Sequence, residues 1–419
     1  MAGLPAFVFA PSDLARRASA PRGDTRSSSK GRNWRQPIAG KRLLVGGRVA
    51  LATAGRLVLT DAFARLDVTG SALDANAGDL VVVRGEYQRG KLRDAELVER
   101  TACPDTRGDG EVARFAWTRV GAQLSARSRV LAEIRGYFSD ESFLEVETPL
   151  RVSAPGVDSN VDALRAEGGF LITSPELALK RLLVGGFPRV YQLGRVFRAD
   201  EAGSLHQPEF TMLEWYRAFA GQDAVMHDTE QLIAGVARAT RGRPELVTPD
   251  ERVLSAKPPF ERISVREAFR RHAGVRDAAD LAASDEDRYF QLLVDRVEPA
   301  LAQLTRPVFL HDYPLSQAAL ARPSPADPTV AERFELYAGG IELCNGYGEL
   351  TDAAEQERRF RAERARRKAS ERRVYPIDQH FLAALREGMP AASGNALGVD
   401  RLVMLATGAK TIQEVTAFP

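Results

Sequence analysis

Cysteine is nearly absent. The 419 residues hold two, Cys103 and Cys344, too few and too far apart for a disulfide framework or a cysteine metal cluster. That scarcity fits a reducing, cytoplasmic setting. Long apolar runs are lacking as well. None reaches the roughly 20 residues of a membrane span, and the expectation is a chain with no membrane segment and no secretory leader. No G-x-x-x-x-G-K-[ST] run occurs, which excludes the strand–loop–helix phosphate cradle. Charge of one sign is not in surplus either. The formal net charge of +2 argues neither for nor against nucleic acid, because a balanced chain can still carry a local basic patch.

What is present is ordinary for a globular protein, with 44% hydrophobic and 27% charged residues. The length suits one large catalytic domain and one small domain. Four segments are expected. Residues 1–36 are basic and rich in Ala, Arg, Ser, Pro and Gly, and read as a disordered tail, although a transit peptide has a similar composition. Residues 37–103 carry five short β-like runs (RLLVGGRVAL, RLVLTD, ARLDVTG, GDLVVVRGEYQ, RDAELVE) parted by turn residues, which predicts a small OB-like β-barrel. Only Phe63 and Tyr87 are available there as base-stacking aromatics, so a stabilising barrel fits as well as an RNA reader. Residues 104–119 are a linker, and residues 120–419 form the catalytic domain.

Residues 197–217, FRADEAGSLHQPEFTMLEWYR, predict a strand–loop–strand hairpin with polar groups at one end. Arg198 offers a planar fork of donors suited to phosphate. His206 can donate to another phosphate oxygen, Phe210 can stack on a base, and a nearby acid such as Asp200 can accept from an adenine amine. The same residue types also suit a plain solvated hairpin.

Upstream, Val130, Leu131, Ile134, Tyr137 and Phe138 recur at helical spacing and lead into SFLEVETPLRV. In FLITSPELALKRLLV, Glu176 falls in the first turn of a predicted helix, where an acid is favoured. Residues 220–305 read as mostly helical. In AERFELYAGGIELCNGYGELTD, Gly339 and Gly340 predict a hairpin turn that brings Glu335, Glu342 and Glu349 into one neighbourhood. Paired carboxylates of this kind can hold Mg²⁺ or a substrate cation. Residues 353–373 predict a charged, solvated helix. The run GNALGVDRLVMLATG ends a strand and begins a helix, with Arg401 near the helix N-terminus, a favourable place for an anion.

FR-x-[DE]-E…H-x-PEFTMLEWY resembles motif 2 of class II aminoacyl-tRNA synthetases. GYFSDESFLEVETP resembles motif 1, and G-x-D-R resembles motif 3. Within that class the chain resembles the lysyl branch, and most nearly the elongation factor P (EF-P) lysine aminoacylases. The resemblance covers residues 120–419 and implies an α+β fold, a mostly antiparallel sheet flanked by helices. It implies ATP and Mg²⁺ as co-substrate and cofactor, formation of an aminoacyl-adenylate, and a homodimer. It carries ATP binding onto Arg198, Asp200, His206, Phe210, Glu335, Glu342 and Arg401, with Arg198 and Arg401 catalytic and Glu335 and Glu342 holding the metal. It carries amino-acid binding onto Ser174, Glu176, Glu214, Tyr216, Asn345, Glu349 and Ala396. Glu176 would meet the amine near the carboxyl group, and Glu214, Tyr216 and Glu349 the far amine.

Ser174 and Ala396 match the protein-modifying branch, where lysyl-tRNA synthetases carry Ala and Gly. The implied substrates are therefore (R)-β-lysine and EF-P. Two other readings stay open: a lysyl-tRNA synthetase with a reduced anticodon-binding barrel, and a non-catalytic paralogue that binds RNA or protein. The barrel is a departure from the protein-modifying branch. So are Asp200 in place of Glu, Gln207 in place of Asn, and the lack of an extra Arg near Ser204 and Leu205.

Overall fold

The computed structural model describes residues 8–18, 38–103, 110–116, 118–156, 160–318 and 320–418. The chain divides into two compact units, Met1–Ala122 and Gln123–Pro419.

In the first unit, β1 (Arg42–Thr53), β2 (Arg56–Thr60), β3 (Arg65–Thr69), β4 (Leu80–Gln88) and β5 (Lys91–Thr101) close into a barrel in the order β1-β2-β3-β5-β4. Alternation puts Val45, Val49, Leu57, Leu59, Val68 and Val83 inside with no exposed surface. At Gly85 a Cβ would lie 2.8 Å from the Arg93 carbonyl, so glycine is what lets the bulged β5 come this close. Tyr87 is buried in the barrel and Phe63 stays exposed, which leaves one of the two expected stacking aromatics on the surface. The expectation of a disordered tail is corrected over residues 8–18. Phe9 bridges Val45 in parallel, and α1 (Pro11–Ala18) inserts Leu14 into the barrel core. An apolar residue at that helix position is the physical reason this stretch orders. The rest of residues 1–36 lies outside the described residues, as do residues 104–109 and 117 of the expected linker.

The second unit is built on an eight-stranded sheet of order β14-β15-β16-β17-β18-β11-β10-β6. In chain order its elements are α2 (Val120–Asp140), β6 (Leu144–Glu145), β7 (Arg151–Val152), β8 (Arg165–Ala166), β9 (Gly169–Leu171), α3 (Glu176–Val184), β10 (Arg189–Phe197), β11 (Glu209–Ala218) and α4 (Gln222–Arg241). Next come β12 (Glu245–Val247), β13 (Val253–Ser255), β14 (Glu261–Ser264), α5 (Val265–His272), α6 (Ala278–Ser284), α7 (Glu286–Leu292) and α8 (Glu298–Ala302). The last are β15 (Val308–Pro314), β16 (Val330–Ala338), β17 (Ile341–Gly348), α9 (Ala353–Ala369), α10 (Gln379–Gly388), β18 (Ala392–Gly398) and α11 (Val399–Thr407). The segment read as mostly helical therefore includes three short strands, and β14 pairs in parallel with β15 at the sheet edge. No helix among the described residues is long and apolar enough to cross a membrane.

One face of the sheet presents Tyr191, Leu213, Trp215, Leu397, Cys344 and Leu336 to α2, α4 and α11. Phe138 of α2 stacks on Tyr191 at 4.5 Å and meets Trp215 edge-on at 5.4 Å. On the other face, α5 to α8 cover one end of the sheet, and α3, α9 and α10 cover the opposite end. Between those two clusters the strand register lines up Glu214, Ala396, Asn345 and Glu335, partner to partner across β11, β18, β17 and β16. Directly opposed residues share a face, so this row is a consequence of pairing alone.

Candidate active site

The row is acidic and buried. Glu214 takes a hydrogen bond from the Ser174 hydroxyl on Oε2 (2.7 Å) and one from the Tyr216 hydroxyl on Oε1 (2.6 Å). Burial, and then the nearby Glu176 carboxylate, push Glu214 up to about 8. Ser174 also accepts the Glu176 N–H at 3.0 Å, which ties this hydroxyl to the start of α3. Glu176 leads α3 and pairs with Lys180 one turn on. Lys180 reaches Glu349 as well, with Nζ 2.5 Å from Oε2. The second oxygen of Glu349, Oε1, is buried without a hydrogen-bond partner. Burial pushes Glu349 up to about 7 against the pull of Lys180. Gly394 completes the floor. A Cβ there would lie 2.3 Å from the Tyr216 ring and 3.0 Å from Glu349 Oε1. Ala396 sits between Glu214 and Asn345, so its methyl group lies on the line joining them.

A second cluster stands at the loop end of the hairpin. The expected hairpin forms, with Phe197 opposite Glu209, and is closed by the Arg198 N–H on the Pro208 carbonyl. The Arg198 guanidinium lies 5.2 Å from the centroid of the Phe210 ring, and its Nε is buried with no hydrogen-bond partner. One face of Phe210 thus carries Arg198. Asp200 is exposed at φ 61°, a left-handed conformation that Asp tolerates. Arg401 donates to the carbonyls of Glu342 (2.8 Å) and Leu205 (3.3 Å). Its Nη2 is 2.5 Å from His206 Nε2. An arginine cannot accept, so Nε2 is the acceptor and Nδ1 carries the ring hydrogen. Burial and the Arg401 charge hold His206 below its usual range, which keeps it neutral with Nδ1–H free to donate.

Glu342 joins the two clusters. Its side chain is 41% exposed, with Oε2 3.7 Å from Arg401 Nη1. Surrounding protein and the Glu335 carboxylate push it up to about 7, against Arg401, Arg333 and Arg198. Glu335 is more heavily engaged. Its Oε2 accepts from the Tyr313 hydroxyl (2.6 Å) and the Tyr337 hydroxyl (2.7 Å), and its Oε1 from Arg333 (2.6 Å). Asn345 Nδ2 stands farther off at 3.4 Å, and Asn345 Oδ1 is buried without a partner. No group of three or more His, Cys, Asp or Glu suited to a metal occurs among the described residues. The Glu335–Glu342 pair still fits a hard divalent cation. The Glu335 carboxylate raises the proton affinity of Glu342, a repulsion that a cation would relieve, and oxygen ligands are the right donor type.

The expected site residues fall in two neighbouring groups on one sheet. Ser174, Glu176, Glu214, Tyr216, Asn345, Glu349 and Ala396 line the acidic row. Arg198, His206, Phe210, Glu342 and Arg401 gather at the hairpin loop, with Asp200 exposed beside them. Four participants, Lys180, Tyr313, Tyr337 and Arg127, were not read from the sequence. Lys180 lies four residues after Glu176, a spacing that signals an acid–base pair but not burial. Tyr313 and Tyr337 hold Glu335. Arg127 of α2 pairs with Asp400 and donates to Thr211 Oγ1 at 2.8 Å, while Asp400 Oδ2 accepts the Thr211 N–H at 2.8 Å. Asp400 therefore pins the start of α11 to β11, which places Arg401.

The sequence is also similar to known proteins. The family model for class II tRNA synthetases (D, K and N) matches residues 105–419. The elongation factor P–(R)-β-lysine ligase of Vibrio cholerae is 43% identical over 313 residues, covering 71% of this chain and 95% of that protein. The ligases of the same name from Edwardsiella ictaluri (41%; 71% and 94% covered) and Proteus mirabilis (40%; 74% and 98% covered) are similar.

Proposed function

The chain belongs to the class II tRNA synthetases of the D, K and N type, and from that premise we propose that it activates (R)-β-lysine with ATP and transfers it to a lysine side chain of elongation factor P. The observation that carries the substrate class is the buried Glu349 oxygen without a donor, set among Glu176 and Glu214. A buried carboxylate with an open oxygen is costly until a cation meets it. A diamino acid supplies two. Glu176 takes the amine near the carboxyl group, and Glu349 with Glu214 takes the far one. The names of the relatives support the choice of amino acid and acceptor.

The chemistry needs no protein nucleophile. A substrate carboxylate oxygen bonds to the α-phosphorus of ATP, and the bond to the bridging oxygen breaks, releasing pyrophosphate. Arg198, whose buried Nε has no hydrogen-bond partner, would neutralise the charge that builds on the α-phosphate. Arg401 and the His206 Nδ1–H hold the leaving phosphates. Glu335 and Glu342 would hold Mg²⁺, which neutralises phosphate charge when bound. The acceptor amine then attacks the acyl carbon, AMP leaves, and the amine proton is lost to solvent. A neutral amino acid leaves the acids uncompensated and is rejected.

A homodimer is part of the proposal. Leu144 and Leu150 stay exposed beside β6 at the sheet edge, where a second copy would cover them. The test is pyrophosphate exchange with (R)-β-lysine and α-lysine, followed by transfer to elongation factor P or to lysine tRNA. Exchange with β-lysine and labelling of the protein are expected. Charging of tRNA with α-lysine and no protein labelling would overturn the proposal, and no exchange with either lysine would favour a non-catalytic role.

A further inference from the structure

Lys180 has no exposed side-chain surface. Its ammonium bridges two carboxylates from separate parts of the fold, Glu176 Oε1 in the first turn of α3 and Glu349 Oε2 just after β17, each at 2.5 Å. It also lies 5.9 Å from the centroid of the Tyr216 ring. Each acid keeps an oxygen not held by this ammonium, and for Glu349 that oxygen faces the gap left by Gly394. A lysine so placed acts as a strut. It sets the distance between the two carboxylates and turns their remaining oxygens toward the site.

It also sets the charge. Ionised Glu176, Glu214 and Glu349 total −3. Lys180 brings the sum to −2, the complement of two ammonium groups. Without Lys180, a dication would leave one buried negative charge uncompensated, and one acid would have to keep its proton. The other titratable groups facing these acids are Tyr216, whose hydroxyl is engaged by Glu214, and Arg322, which acts on Glu349.

We propose that Lys180 is a positioning residue that sets the spacing of two ammonium subsites and reduces the pocket's charge to match a dication. This rests on the reading of the substrate as a diamino acid. Substrate entry then displaces protons from the acids, because Glu214 and Glu349 hold them up to about 8 and about 7 in the free protein.

Two variants of the full chain separate charge from spacing. In Lys180→Met, KM for (R)-β-lysine in pyrophosphate exchange should rise at least about tenfold at pH 7 with a smaller change in kcat. The loss should shrink as pH rises toward 9, since the acids then ionise without help. Lys180→Arg keeps the charge, so its pH profile should match wild type while KM rises through altered spacing. It answers the spacing half if the Met variant does not fold. Unchanged KM in both variants, or a pH-independent loss in Lys180→Met, overturns the proposal. If wild type exchanges with neither lysine, the substrate reading fails instead.

Discussion

Glu214, Glu349 and Glu342 are carboxylates whose surroundings favour the proton, and the sign of the consequence can be worked out. Their values in the folded protein, about 8, about 7 and about 7, lie above the ordinary 4.5. Between those limits the folded state binds more protons than the unfolded one. Stability of the free protein therefore falls as pH rises from about 5 to about 8. Acids held low by arginine partners, such as Glu267 and Glu355 at about 2, act only below that window. The diamino substrate needs the ionised acids, so its affinity rises over the same range, by up to about tenfold per pH unit for each proton released. Calorimetric melting with and without (R)-β-lysine checks both slopes. Melting that rises from pH 5 to 8 without substrate would contradict this account. Individual residue types were legible in the sequence where a motif names them, as with Arg198, His206, Glu342 and Arg401. Lys180 and the tyrosines on Glu335 were not, because burial and cross-strand reach follow from packing.

At the scale of elements, β18 and the start of α11 do the positioning. Gly394→Ala puts a methyl group 2.3 Å from the Tyr216 ring, backed by a strand on either side. The ring must shift off Glu214. The expected cost is about 1–3 kcal/mol of stability, together with a raised KM for the amino acid, measured by denaturant melts and exchange kinetics. Arg127→Met leaves Asp400 buried with the Thr211 N–H as its remaining described donor. Breaking such a pair costs about 3–5 kcal/mol, and with α11 loosened, kcat should fall because Arg401 loses its place. A variant with wild-type melting and kcat would show that Asp400 is held some other way. Element types were mostly legible. The Gly339–Gly340 turn has positive φ at both residues (60° and 86°), as a tight hairpin needs. The strands β12 to β14 were not legible, since strands of three or four residues carry no usable period.

At the scale of the molecule, the relatives match 71–74% of the chain, and the family match runs over residues 105–419. The barrel forms its own closed core. Removal of residues 1–104 should leave pyrophosphate exchange within about threefold of the full chain, since the residues assigned to adenylate formation all lie beyond it. A loss of exchange in a folded truncation would give the barrel a part in activation.

The last of the described strands in chain order, β18, takes a central place in the sheet, between β11 and β17. Before it emerges from the ribosome, those two strands each present an open edge that seeks a partner. The nascent domain thus passes through a stage with its central seam unzipped, when a second nascent copy can pair where β18 belongs. Residues 392–398 are the closing stitch of the sheet, and a stalled or clipped chain lacking them would leave aggregates instead of a weakened enzyme.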